Sequence, residues 1–157
     1  LFGADLRDAD MSSATLIGAE LSGANLEEIS GYQADLSDTL LFRANLYGAA
    51  LSEATLSGAD ATAARLGSAD LDFAELVSVN FSHAVLVFAD LSDASLQYAD
   101  LTRADLTEVR WSYEDYESAA SKLSWITWFE TTCWDGTVSN ETNPRCYWEI
   151  ELDSDRE

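Results

Sequence analysis

Large apolar residues return at every fifth position along most of this chain. The series runs from Leu6 through Met11, Leu16, Leu21 and Leu26 to Trp111, and only Gly31 and Ala61 among its 22 members are small. Two residues ahead of each member stands a second series, from Ala4 to Val109. Eighteen of its 22 members are Ala; the exceptions are Ile29, Thr39, Val79 and Val109. A period of five matches neither common element, since helices want apolar residues about 3.6 apart and strands want alternation. At roughly 100° per residue, successive members would step about 140° around a helix, and no apolar face would form. The pattern instead requires the chain to turn a corner every five residues, with one large and one small side chain inward on each short extended segment. Four segments close a square coil of 20 residues, and coils stack by strand pairing about 4.8 Å apart. Leu46, Leu66, Leu86 and Leu106 then form one column of the core. Sides one to four are numbered here from their first inward large residues, Leu6, Met11, Leu16 and Leu21.

Side-chain size supports this geometry. A narrow tube has room for one Leu per side when its companion is Ala. Each coil buries its core only against its neighbours, so the ends need covering. Two departures stand out: Ile29, Ser30 and Gly31 break one unit, and Ala61 leaves a core position underfilled.

The runs GADLRDADM, GANLEE, RANLYGAAL, GSADLDFAEL and YADLTRADL resemble the pentapeptide-repeat family, whose consensus is A-(D/N)-L-x-x. The resemblance covers residues 1–111. It implies an all-β solenoid, a right-handed quadrilateral β-helix of about five and a half coils. It implies little about function, because function resides in sites rather than folds.

After Trp111 the composition changes, and residues 112–157 read as a separate C-terminal region. SYEDYESAASKLSWITWF is predicted to form a capping α-helix over 112–129. Ser112 is its N-cap, Glu114, Asp115 and Glu117 favour its start, and its apolar residues cover the last coil. The stretch that follows holds both cysteines, Cys133 and Cys146, around a turn-rich segment with Asp135-Gly136 and Asn143-Pro144. This spacing suits a disulfide-closed hairpin, worth about 3 kcal/mol by loop entropy; the alternative is two free buried thiols. The segment is similar to Cys-x-Asp-Gly-Thr…Cys tails that follow such repeats in some exported bacterial proteins. That similarity implies an oxidising compartment: periplasm, extracellular space or thylakoid lumen. An acidic tail ends the chain.

Charge narrows the partners. The net charge is −21, from 29 acids against 8 Lys and Arg. Such a field disfavours direct binding of nucleic acid or of anionic membrane and favours a basic protein. No apolar run is long enough to predict a membrane-inserted helix. Side two carries Asp10, Glu53, Asp70, Asp72, Asp90 and Asp93 against Arg110, so Asp70, Asp72, Asp90 and Asp93 form a candidate acidic surface. Tyr47, Val85, Val87 and Phe88 are outward apolar positions on side one and form a candidate contact patch, with Leu40 and Phe42 a smaller pair on another side. No catalytic constellation is visible: His83 is the single histidine, it falls at an outward position, and no nucleophile stands beside it. No metal or cofactor site is expected either. Asp135, Asn140, Glu141 and Asn143 lack the spacing of a calcium loop, and two cysteines without a nearby histidine do not suggest zinc.

The expected function is therefore that of a non-enzymatic, exported structural or protein-binding module. The alternative is a DNA mimic acting on a DNA-handling enzyme such as gyrase, a role the family resemblance brings with it. The repeat region would carry about one net negative charge per 2 Å of axis, against one per 1.7 Å for B-DNA. Leu1 already stands in repeat register, so either further residues precede it or two N-terminal coils meet. The second case predicts a weak homodimer that strengthens with salt.

Overall fold

The structure is a computed structural model, and it describes residues 1–112, 125–133 and 136–139. Parallel strand pairing joins residues 20 apart without a break, from Asp5 with Asn25 to Asp90 with Arg110. The square coil read from the sequence is thus the observed register. Both inward series are buried from Leu21 to Leu106, and Leu46, Leu66 and Leu86 have no solvent exposure. Leu6, Met11 and Leu16 of the first coil are partly buried and pack on the same core.

Accounting for the backbone amides of one unit explains the consensus. The Leu71 amide donates to Asp90 O at 2.8 Å and that of Phe73 to Ser92 O at 2.9 Å, both on the next coil. Ala74 donates across the corner to Leu71 O at 3.0 Å, and Glu75 donates back to Ala54 O at 2.9 Å on the preceding coil. Four of five amides are satisfied by backbone. The fifth, Asp72, donates to Asp70 Oδ1 at 3.2 Å. Every Asp and Asn immediately ahead of a member of the first inward series makes this local bond, including Asp10, Asp35, Asp60, Asn80, Asp90, Asp100 and Asp105. Buried or corner amides are costly to leave unpaired. The repeated Asp is therefore in the first place a turn cap.

Each corner has the hydrogen bond and the single positive φ of a type II turn. The positive-φ position recurs every fifth residue from Gly3 to Glu108; five of these 22 residues are Gly, and the rest include Asp8, Arg43, His83, Phe88 and Tyr98. Non-glycine residues tolerate the left-handed region at a modest cost, which the neighbouring ladder bonds offset.

The two irregular core positions are compensated by neighbours. A side chain added at Gly31 would place its Cβ 2.8 Å from Leu51 Cδ2 and 3.7 Å from Ile29 Cδ1, so the volume missing at Gly31 is already occupied. Large and small have exchanged places within this unit. In the column of side four, Ala61 lies between Leu41 and the larger Phe81, both fully buried. Thr39, also buried, satisfies its hydroxyl by donating to Leu36 O at 2.7 Å.

The expected helix over 112–129 is corrected where its end can be seen. Thr127 pairs in parallel with Asp100 and Thr132 with Asp105, an offset of 27 in place of 20. Leu101 donates to Thr127 O, Arg103 to Phe129 O and Leu106 to Thr132 O, the ladder pattern of the coils before it. Trp125–Cys133 thus resumes the solenoid after seven extra residues. Ile126 and Trp128 pack on the core, and Thr131 and Cys133 are buried. Trp125 and Glu130 even repeat the positive φ of the corner. Residues 113–124 of the expected helix lie outside the described residues.

Beyond Cys133 the chain doubles back. Val138 pairs antiparallel with Thr132, around a turn in which Gly136 has φ +80 and donates to Cys133 O. Ser139 Oγ donates to Trp128 O at 2.6 Å and accepts from the Thr131 amide at 2.9 Å. This short arm occupies a strand edge that would otherwise face water.

Candidate protein-binding surfaces

The stack brings four of the six acids of side two together. Asp70 and Asp90 are paired strand neighbours, and Asp72 and Asp93 stand at the adjoining corner. Asp70 and Asp90 each cap a turn, and Asp90 Oδ2 also holds Arg110 Nη2 at 2.8 Å. Burial pushes the Asp72 carboxyl above its ordinary value, and the charges of Asp90, Asp70 and Asp93 push it further, against the pull of Arg110. Three outward carboxyls of the first two coils go the other way. Hydrogen bonds from Ser12, Ser22 and Ser37 hold Asp10, Glu20 and Asp35 below their usual range. Asp70, Asp72, Asp90 and Asp93 thus bring like charges together on side two.

The apolar candidates also converge. Tyr47 and Val87 share one corner two coils apart, with Gly67 between them, and Val85 and Phe88 are exposed beside Val87. A Cβ at Gly67 would lie 3.2 Å from Tyr47 Cδ2, so the missing side chain lets the Tyr47 ring rest against the rod. The sequence reading missed Gly67, although its place midway between Tyr47 and Val87 at the coil period was the available signal. Leu40 and Phe42 are exposed on side four and its corner, and the Arg43 guanidinium lies 4.9 Å from the centroid of the Phe42 ring. His83 occupies a positive-φ corner position and is exposed. Among the described residues no cluster of three or more His, Cys, Asp or Glu is arranged to hold a metal ion, and no helix is long and apolar enough to cross a membrane.

The repeat is recognised independently of its geometry. The profile of the family "Pentapeptide repeats" matches in eight copies, over residues 1–30, 39–74 and 74–110. The chain belongs to the pentapeptide-repeat family. Membership implies the right-handed quadrilateral β-helix that the strand register describes. No curated protein sequence matches the chain. Among solved structures, QnrB1, a plasmid-mediated fluoroquinolone resistance protein, is similar with a TM-score of 0.67 at 18% identity. That match covers 83% of this pentapeptide-repeat chain and 60% of QnrB1. HetL from Nostoc sp. strain PCC 7120, involved in heterocyst differentiation regulation, matches with a TM-score of 0.44 at 19% identity, over 87% of this chain and 92% of HetL. A pentapeptide repeat protein of the Arabidopsis thaliana thylakoid lumen matches with a TM-score of 0.31 at 25% identity, over 87% of this chain and 85% of that one. The likeness to QnrB1 concerns the fold alone. The functional question then falls on the outward residues of this particular rod.

Cys133 is 2% exposed and ends the strand that carries the C-terminal arm; Cys146 lies outside the described residues. Titration of thiols in denatured, unreduced protein is expected to find none, as a Cys133–Cys146 disulfide requires. Two reactive thiols would refute the pairing.

Proposed function

We propose that this chain is a non-enzymatic, exported scaffold that holds out a rigid acidic surface to a basic protein partner. The observation that carries the reading is the row on side two. Burial, with the charges of Asp90, Asp70 and Asp93, holds Asp72 above its ordinary pKa, so a partner's cation placed beside Asp72 relieves that crowding. Asp70 and Asp90 are anchored by their turns, which presents the row without much loss of side-chain freedom on binding. The solenoid supplies rigidity, since each coil is bonded to both neighbours. Export rests on the proposed Cys133–Cys146 disulfide.

The test uses an Arg-rich peptide and calorimetry at low and high salt. Asp72→Asn leaves the caps of Asp70 and Asp90 in place and should weaken binding about threefold to fivefold, the worth of one partly exposed ion pair. Equal binding by parent and variant would remove side two as the site.

Mimicry of DNA toward an enzyme such as gyrase is the second reading. It is favoured by the overall charge and by the likeness in fold to QnrB1. It is weakened by the use of eight Asp residues as turn caps, a placement that folding alone explains. Inhibition of gyrase supercoiling at low micromolar concentration would put this reading first.

A further inference from the structure

One face of this acidic rod carries no acid. Residues 41–52, 61–69 and 81–89 contain no Asp or Glu, in a chain with 29 of them. In the linear sequence these stretches look unrelated. The coil register lays them one above another, with Asn45 paired to Arg65 and Arg65 to Val85. Together they cover side one and the corner on either side of it over three successive coils, about 10 Å of axis. Glu27 and Glu28 close this face on the coil below, and Asp105 and Glu108 close it on the coil above.

The arginines divide along the same line. Five are among the described residues. Arg7, Arg103 and Arg110 lie outside the face and are paired with Asp5, Glu130 and Asp90. Arg43 and Arg65 lie on it, are exposed, and make no ion pair with any described residue. Around them stand the exposed Phe42, Tyr47, Val85 and Phe88, of which Phe88 is 62% exposed. Arginine beside exposed aromatic residues is the composition of the energetic centre of protein interfaces. A guanidinium also gives up water more readily than an ammonium, which suits a contact that buries apolar surface at the same time.

We propose that this face is a second docking surface, and that its occupant is a protein segment with apolar side chains flanked by carboxylates. The choice of occupant follows from charge. The surrounding rod repels an acidic segment everywhere else, and Arg43 and Arg65 are the two described arginines without a carboxylate partner among the described residues. A basic segment would be drawn to side two and repelled here. The proposal rests on reading the rod as a binding scaffold, but not on side two being a binding site. The chain then joins two partners of opposite charge on different faces.

Three labelled peptides test it by fluorescence anisotropy at physiological salt: Leu and Phe alternating with Glu, the same with Lys for Glu, and the same with Ser for Leu and Phe. The first should bind at least tenfold more tightly than either of the others. Arg43→Glu with Arg65→Glu, and separately Tyr47→Ser with Phe88→Ser, should each weaken it at least tenfold while the melting temperature stays close to the parent's. Arg43→Gln with Arg65→Gln is the milder pair should charge reversal disturb folding. The Arg-rich peptide should bind the arginine variants no more weakly than the parent, which separates failure of this face from failure of side two. The proposal is overturned if the Lys peptide binds as well as the Glu peptide, if no peptide binds, or if the variants bind unchanged. It is equally overturned if the protein alone sediments as a dimer that Arg43→Glu with Arg65→Glu dissolves, or if phosphatidylglycerol vesicles bind where the Glu peptide does not.

Discussion

Leu66→Asp is expected to abolish the folded rod. Leu66 has no solvent exposure, stands between Leu46 and Leu86 in one column, and belongs to a core made almost wholly of Leu and Ala. An ionised carboxylate there would have no partner, and its effective desolvation cost is several kcal/mol. The typical stability of a whole domain is about 5–15 kcal/mol. The damage would also spread, because each coil is held by its neighbours and a broken middle coil separates the stack into two short pieces with newly opened ends. Ser68→Asp is the control: it lies two residues away, exposed at a corner, and should change stability by no more than about 0.5 kcal/mol. Thermal melting followed by circular dichroism reads both. A Leu66→Asp protein that melts cooperatively near the parent's temperature would contradict the description of the core.

Gly31→Leu should destabilise the protein even though it restores the repeat. The new Cβ alone would stand 2.8 Å from Leu51 Cδ2, in space that Leu51 and Ile29 already share. Overpacking of this kind costs about 1–3 kcal/mol, and more where the clash involves the first side-chain atom. Ile29→Ala alone should cost about 2–5 kcal/mol by opening a cavity. Combining the two returns the unit to the Ala–x–Leu arrangement of its neighbours, so the double variant should be more stable than either single one. The coupling is expected at the upper end of the range of about 0.5–3 kcal/mol seen for residues in contact. Denaturant melts of the four proteins complete the cycle. If Gly31→Leu alone stabilises, the exchange of large and small within this unit is not what fills the core.

Much of the rod was legible because its signal repeats. A five-residue frame that holds from Leu6 to Trp111 fixes the inward residues and the 20-residue register, and the structure follows both. The frame was lost where the chain inserts seven residues. In WITWFETTC the inward places are taken by Ile126, Trp128, Thr131 and Cys133, so neither Leu nor Ala marks them. The same letters satisfy a helical apolar pattern, and periodicity over so short a stretch does not distinguish the two. Gly31 and Ala61 read as defects because a one-dimensional pattern carries no volume, whereas the occupants of that volume, Ile29, Leu51 and Phe81, come from elsewhere in the stack. The Asp residues ahead of each Leu read as surface charge, since only the count of backbone donors reveals their work as caps. For the surfaces, the acids of side two could be gathered by counting in twenties. The acid-free face is defined by what is missing from three distant stretches, and a search for motifs passes over it.

The fixed register has a consequence for how such a gene can change length. Because the face a residue occupies depends on its number modulo 20, losing 60 nucleotides in frame removes one turn of the rod and leaves every remaining residue facing the same way. Losing 15 nucleotides keeps the core pattern intact but rotates everything downstream by a quarter turn. After such an event between Gly48 and Arg65, residues Val85 and Phe88 would no longer share a face with Tyr47, although each would still sit on a well-formed corner. Length variants of this protein can therefore fold equally well and yet differ in what they hold on to.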